Sequence, residues 1–355
     1  MRITKLDGLR GVFCLLVVLF HYSQNDLPKF LYESFLIRES WMFVEFFFVL
    51  SGFVISYNYE SLETKGELKI YLIKRFNRLY PLLFYSTIIF LFIEILMNTF
   101  FVEFITTPET INSLIYKTID TLTFMNSTPV FGNSLGMNYP SWSISSEMIS
   151  YVVFGLVTVF IQKRETPRYY LLLILFSIVI MLNKSLLFQG IHLDFVRGIL
   201  SFSLGVLIQK FPFQKLKIPN YTEFIIPIMI VGSMFLLNRT TGFIRECHSV
   251  ITINIVFFLS IHVFLKTKGV LTKILDSSLI QFLGKISYSV YLNHSLLIII
   301  IPRFLFNILG LERTIFNMIC VLTLTLVILI LYSNFTYKLI ESLGGKYLKK
   351  LLLRK

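Results

Sequence analysis

The sequence predicts an all-α, polytopic membrane helix bundle with about ten transmembrane helices and with both termini in the cytoplasm. Three observations predict this fold: long apolar runs, few charged residues, and loops that alternate between basic and less basic. Hydrophobic residues make up 55% of the 355 residues and charged residues only 15%, whereas about one-quarter of a soluble domain is charged. With 37 Phe and 18 Tyr, the chain is also too aromatic to be disordered.

Ten apolar runs approach the length that a helix needs to cross the hydrocarbon core of a bilayer. The first and the sixth are the weakest, because both contain ionisable residues. The runs cover residues 8–24, 41–58, 81–103, 142–162, 169–187, 191–210, 221–238, 249–265, 280–301 and 315–337.

The positions of Lys and Arg support this count, since cytoplasmic segments of membrane proteins are more basic than outer loops. With the N-terminus inside, ten spans place 24 Lys and Arg in inner segments and 8 in outer loops, and they leave only Arg197 within a span. This alternation predicts an even number of spans. In so apolar a chain, the net charge of +13 does not predict a nucleic-acid partner.

The expected organisation is a transmembrane domain over residues 1–345 and a basic cytoplasmic tail over residues 346–355, which suits an anchor on anionic lipid. No small-x-small cleavage site follows Tyr22, so the first helix is expected to be retained. The outer segment 104–140 is long enough for a re-entrant piece or a binding loop. The three cysteines lie far apart, so neither a disulfide framework nor a metal site is predicted.

Arg10 and His21 form an informative pair on the first helix. Eleven positions correspond to three helical turns plus about 20°, so both side chains project from one face, roughly 16 Å apart along the axis. This spacing suits a channel with a cation at its cytoplasmic entrance and a base deeper in, because a neutral imidazole accepts a proton at working pH. The alternative is a buried His21 bonded to a backbone carbonyl, with Arg10 as a topological anchor.

Two further arginines precede the third run. Arg75 and Arg78 are three residues apart and share a helix face, and Pro81 is expected at the start of that helix. Two forked guanidinium groups on one face match a phosphate or pyrophosphate. The alternative is a topological or lipid contact.

Glu147 ends the segment Trp142–Glu147, which opens the fourth run. Small polar residues and an acid at a helix start are typical of an N-cap. The same carboxylate could also orient an imidazole or bind a sugar hydroxyl. Taken alone, the capping interpretation is favoured.

Other ionisable residues lie within the runs, where burial in lipid would be costly. Asp194 and Arg197 are three residues apart and can neutralise each other, while Gly198 and Gly205 favour close helix packing. His294 follows a hydroxyl-rich segment that could line a polar cavity. Three single residues are interpreted as packing or cavity groups: Glu45, Glu94 and His262.

Six motifs in order along the chain together resemble the membrane acyltransferase-3 family, the bacterial integral-membrane O-acyltransferases of surface carbohydrates. They are Leu6–Gly11 with Arg10 and His21 separated by ten residues, Phe46–Phe53, Arg75–Arg78 with Tyr80 and Pro81, Trp142–Glu147, Arg197 and Gly198 with Gly205, and Ser287–His294. Met148 stands where the family usually has a second acid, and Asn293 replaces a frequent Trp. The fused extracytoplasmic domain common in the family is not expected here.

The resemblance implies a donor that enters from the cytoplasm, acyl-coenzyme A and normally acetyl-coenzyme A, with no metal. Arg10, Arg75, Arg78 and Tyr80 would bind the coenzyme, whose phosphates suit guanidinium groups. The implied location is the bacterial cytoplasmic membrane, with the lipid bilayer as surroundings.

The resemblance also implies a carbohydrate acceptor, met at the outer side or within the membrane. His21 would act as the general base on its hydroxyl or carry the acyl group covalently. Glu147 would orient His21 or the acceptor. Candidate positions for the cavity or the acceptor site are Ser51, Trp142, Ser145, Arg197 and His294.

Two other classes stay open from the sequence. A transporter or exporter of a glycan or small anion would use the same buried charges, although the inverted repeats common in transporters are not visible. A membrane scaffold that kept the fold and lost the chemistry is disfavoured by the intact Arg10, His21, Arg75 and Arg78.

Overall fold

The computed structural model describes residues 3–100, 109–132, 135–187, 191–210, 217–239 and 244–353. Every regular element in these ranges is helical, which confirms the predicted all-α class. Eight helical segments are long and apolar enough to cross a membrane. The chain is therefore a multi-pass helical membrane protein.

Helices occupy all ten predicted positions. They are α1 (Thr4–His21), α4 (Phe43–Asn58), α5 (Lys65–Phe100), α7 (Ser141–Phe160), α8 (Thr166–Leu187), α9 (Phe195–Lys210), α10 (Ile225–Asn238), α11 (Ile244–Lys266), α13 (Ser278–Pro302) and α14 (Ile315–Thr336). Shorter helices lie between or after them: α2 (Lys29–Tyr32), α3 (Phe35–Arg38), α6 (Ile111–Leu122), α12 (Val270–Leu275) and α15 (Gly345–Leu352).

Helix α1 has 18 residues and helix α9 has 16. Neither is among the eight segments that are long and apolar enough to cross a membrane. The two helices correspond to the first and sixth runs, the two weakest in the sequence. Much of each helix is buried against protein, so the protein itself surrounds the ionisable groups that lipid would disfavour.

Close backbone contacts position both helices. A Cβ atom on Gly205 of α9 would lie 2.0 Å from the carbonyl oxygen of Val49 on α4, which confirms the packing predicted for that glycine. A Cβ atom on Gly284 of α13 would lie 2.1 Å from the carbonyl oxygen of Asp7 on α1. Small residues thus let α1 and α13 touch along their backbones.

Pro81 does not start a helix as predicted, because it lies inside the 36-residue helix α5. A proline lacks the N–H group that would bond the carbonyl four residues earlier, here that of Asn77. A Cβ atom on Gly345 would lie 3.1 Å from that carbonyl oxygen. The C-terminal segment therefore packs on α5 at the point where the proline interrupts its hydrogen bonding.

The last run extends beyond its predicted end. A π-helical stretch, Tyr337–Gly344, links α14 to α15 without a break. Helix α15 covers most of the predicted basic tail, and its contact with lipid stays a prediction. The predicted outer segment contains α6, whose 12 residues are too few to span a bilayer.

The orientation of the helices can be tested by cysteine labelling in cells, in a Cys320→Ser background because Cys320 is the exposed cysteine. Val130 lies on a predicted outer loop and Ser61 on a predicted inner one, and both are exposed. We expect an impermeant maleimide to label Val130→Cys but not Ser61→Cys until the membrane is permeabilised. Labelling of Ser61→Cys but not of Val130→Cys before permeabilisation would show that the orientation is opposite to the predicted one.

Candidate active site

A cavity of about 240 Å³ lies between α1, α4, α5, α7 and α13, near the start of α1. We call it the arginine cavity. Its polar lining consists of Asp7, Arg10, Ser51, Arg75, Arg78, Ser143, Glu147, Tyr151, Ser287, Tyr288 and Tyr291. The structure thus brings together three predicted donor-binding arginines with predicted residues Ser51 and Glu147.

The three guanidinium groups have different partners. Arg10 lies 3.5 Å from the carboxylate of Asp7, one helical turn earlier. Arg78 forms an ion pair with Glu341 and faces the Tyr288 ring at 5.4 Å. Each of these two arginines is therefore held by a carboxylate at the cavity wall.

Arg75 is held differently. Its guanidinium lies 5.6 Å from the centre of the Tyr59 ring and 5.8 Å from that of Tyr151, and it donates a long hydrogen bond of 3.5 Å to the Tyr59 hydroxyl. Among the described residues, no carboxylate pairs with it and its buried Nε atom has no hydrogen-bond partner. Arg75 is thus the cavity arginine best able to receive an added anion.

Glu147 accepts hydrogen bonds from the Ser51 hydroxyl at 2.7 Å and from the Tyr151 hydroxyl at 2.5 Å. The capping interpretation is wrong, because α7 begins at Ser141 and Glu147 is its seventh residue. The described hydrogen bonds of Glu147 and His21 do not join the two residues, and a role of Glu147 toward an acceptor stays a prediction. Glu147 instead forms part of the arginine cavity wall.

His21 lies at the end of α1 and meets His294 of α13, with 3.3 Å between His21 Nδ1 and His294 Nε2. His21 Nδ1 is 2.9 Å from the carbonyl oxygen of Val17, and His294 Nδ1 is 2.6 Å from that of Tyr291. A carbonyl only accepts hydrogen bonds, so each neutral ring carries its proton on Nδ1. His294 Nε2 then accepts from His21, and the lone pair of His21 Nε2 stays available as a base.

His21 does not line the arginine cavity. It lines a second space of about 250 Å³, the histidine cavity, together with Ser23, Asn25, Asp26, Ile298, Ile299, Arg303, Asn307 and Arg313. The prediction of one channel joining Arg10 to His21 is therefore wrong for this conformation. A chain of contacts links the two spaces: Tyr291 lines the arginine cavity, its ring centre is 5.7 Å from that of His294, and His294 contacts His21.

Arg197 belongs to a buried ion pair outside both cavities. Its guanidinium donates to Glu45 of α4 at 2.6 and 2.9 Å and lies between the rings of Trp41 and Trp142, 5.2 and 5.0 Å from their centres. The sequence did not identify this partner, because it favoured Asp194. The signal available was that Glu45 and Arg197 are opposite charges that both lie within predicted runs.

Besides Arg197 and His294, three predicted positions lie outside both cavities. Tyr80 stacks on Phe76 with ring centres 4.3 Å apart. Ser145 is buried, donates to the carbonyl of Phe124 and lies 2.7 Å from the Ser127 hydroxyl. The third, Trp142, packs on the guanidinium of the buried ion pair. These three residues pack within the protein near the site and do not line either cavity.

The fold and the site define a class: a multi-pass helical membrane protein with an arginine-lined cavity at one end of α1 and a histidine pair at the other. A family model describing an acyltransferase domain, that of the acyltransferase-3 family, matches residues 3–333. The chain belongs to this family and is a membrane acyltransferase, which favours the enzyme over the exporter. Comparisons with curated proteins and with solved structures each returned no match.

Proposed function

We propose that this protein transfers an acyl group, normally acetyl, from cytoplasmic acyl-coenzyme A to a hydroxyl of a cell-surface or lipid-linked carbohydrate, in the bacterial cytoplasmic membrane. One observation carries the proposal. Three arginines line a cavity at one end of α1, and the same helix ends in His21. The described hydrogen bonds of His21 use its Nδ1 atom, so Nε2 can accept a proton.

The charge of the donor suits the arginine cavity. Coenzyme A carries several phosphate charges, and guanidinium groups bind phosphate oxygens through paired N–H donors. Arg75 receives the first phosphate, since it lacks a carboxylate partner, while Arg10 and Arg78 keep N–H groups beyond those that their carboxylates use. The thin pantetheine arm then extends along α1 and α13 toward Tyr291.

The carbohydrate acceptor binds at the other end of α1, in the histidine cavity. Its hydroxyl enters the histidine cavity, where Ser23, Asn25 and Asp26 offer hydrogen-bond partners of the kind that sugars use. His21 Nε2 takes the hydroxyl proton, the oxygen attacks the thioester carbonyl, and coenzyme A leaves as the thiolate. Because the two cavities share no lining residue, the thioester can reach His21 only if side chains between them move.

A covalent route uses the same atoms. His21 Nε2 attacks the thioester carbonyl directly, and coenzyme A leaves as the thiolate. The sugar hydroxyl then attacks the acyl-imidazole carbonyl, the acyl–Nε2 bond breaks, and the freed Nε2 takes the hydroxyl proton. In both routes only the acyl group leaves the coenzyme, whose anionic phosphates stay on the side of the arginines.

Replacing both Arg75 and Arg78 by Lys tests donor binding. Lys keeps the charge and loses the two-pronged geometry, so we expect the dissociation constant for coenzyme A to rise about tenfold or more. Isothermal titration of detergent-purified protein measures it. Arg168→Lys is the matched control, because Arg168 is exposed and pairs with Glu165 away from the cavity. Unchanged affinity in the double variant would contradict the donor assignment.

A further inference from the structure

Arg78 is held at the cavity wall by a residue that no motif contains. Glu341 uses both carboxylate oxygens, since Oε1 accepts from Arg78 Nη1 and Oε2 accepts from the Ser289 hydroxyl at 2.8 Å. Its side chain is only 4% exposed. A buried carboxylate requires such pairing, because removing it from water is costly.

The two members of this ion pair differ in access. The Arg78 side chain is 40% exposed and lines the arginine cavity, whereas Glu341 is not among the lining residues. The carboxylate therefore lies behind the guanidinium and outside the space that a ligand would occupy. Arg78 has five N–H donors, so those not bound to Glu341 remain for a ligand.

Glu341 comes from the C-terminal segment, outside residues 3–333 that the family model matches. It lies in the π-helical stretch Tyr337–Gly344, and such stretches are frequent at functional sites. The following Gly345 lies against the carbonyl of Asn77, next to Arg78 on α5. The C-terminal segment thus reaches the donor cavity from behind.

We infer that Glu341 is a positioning residue for the donor, which holds Arg78 so that its remaining N–H groups face the coenzyme phosphates. This inference rests on the proposed function. Arg75 and Arg78 share one helix face and repel each other, and the long Arg78 side chain would otherwise turn away from its neighbour. Glu341 offsets that repulsion and, with the Tyr288 ring, sets the direction of the guanidinium.

A double-mutant cycle on coenzyme A affinity tests the inference. We expect Glu341→Ala to raise the dissociation constant about tenfold, and Arg78→Ala to raise it at least as much. The variant with both changes should bind like Arg78→Ala alone, because Glu341 acts only through Arg78. Glu341→Gln, whose amide oxygen can still accept from Arg78, should lose less than Glu341→Ala.

Thermal stability, measured on the same samples, separates positioning from a structural role. Arg78→Ala leaves a buried, unpaired carboxylate, so the added Glu341→Ala change should restore stability without restoring affinity. Glu223→Gln is the matched control, because this buried carboxylate binds Gly269 and Thr272 away from the cavity. It should leave coenzyme A affinity unchanged.

The inference is overturned if Glu341→Ala and Glu341→Gln change stability alone, or if the Glu341→Ala effect on affinity persists in the Arg78→Ala background. If the proposed function itself is wrong, the affinities for coenzyme A will follow a different pattern. In that case Arg78→Ala, and Lys at both Arg75 and Arg78, would bind coenzyme A like the unmodified protein.

Discussion

His21→Ala is expected to lower acyl transfer about a thousandfold while the protein stays folded in the membrane. The imidazole is the group at the histidine cavity whose ring nitrogen can accept the hydroxyl proton, and Ala removes it in either chemical route. Transfer of labelled acetyl from acetyl-coenzyme A to surface glycans of cells with each variant measures the effect. Coenzyme A affinity should change little, because His21 lies outside the arginine cavity.

His262→Ala provides a matched control for this loss. His262 Nδ1 lies 2.9 Å from the carbonyl of Phe258, four residues earlier, as His21 Nδ1 does from Val17. His262 lines neither cavity, so its replacement should leave transfer unchanged. Normal transfer by His21→Ala would rule out both the base and the acyl-histidine routes.

Arg197→Ala is expected to destabilise the fold by about 3–5 kcal/mol, the usual cost of leaving a buried charge without its partner. Glu45 is fully buried, and Arg197 and Ser201 are its hydrogen-bond donors. The expected result is a much lower thermal transition of the purified protein and less protein in membranes. Adding Glu45→Gln should recover part of the loss, because it removes the unpaired charge.

Arg168→Ala is the comparison for that prediction. Its ion pair with Glu165 is exposed, and such pairs contribute at most about 1 kcal/mol. The two arginines therefore differ in burial and not in chemistry. Equal stability of Arg197→Ala and Arg168→Ala would show that the Arg197–Glu45 pair does not hold α4 to α9.

The helix positions could be predicted because hydrophobic length and basic loops act locally along the chain. Arg10 and His21 were also predicted on one helix, and α1 carries both. The boundaries were less predictable. Pro81 was expected at a helix start, yet the structure tolerates it within α5 where the C-terminal segment packs on the interrupted backbone.

The partners of the charged residues could not be predicted. A sequence tells at which angle a side chain leaves its own helix, but not how that helix is rotated against its neighbours. Arg197 was expected to pair with nearby Asp194, and its hydrogen bonds to Glu45, which is 152 positions away in sequence, were missed. The link between Arg78 and Glu341 spans 263 positions and was missed for the same reason.

From the sequence came the membrane class and the positions and order of the long helices, because these depend on local composition and period. The candidate residues for acyl transfer came from the resemblance of six motifs to a known family. Tertiary structure alone decided that the arginines and His21 line separate cavities, that His294 completes the histidine pair, and that Glu341 supports Arg78. These features depend on backbone contacts between helices, such as that of Gly284 with Asp7, which set the rotation and depth of each helix against the next.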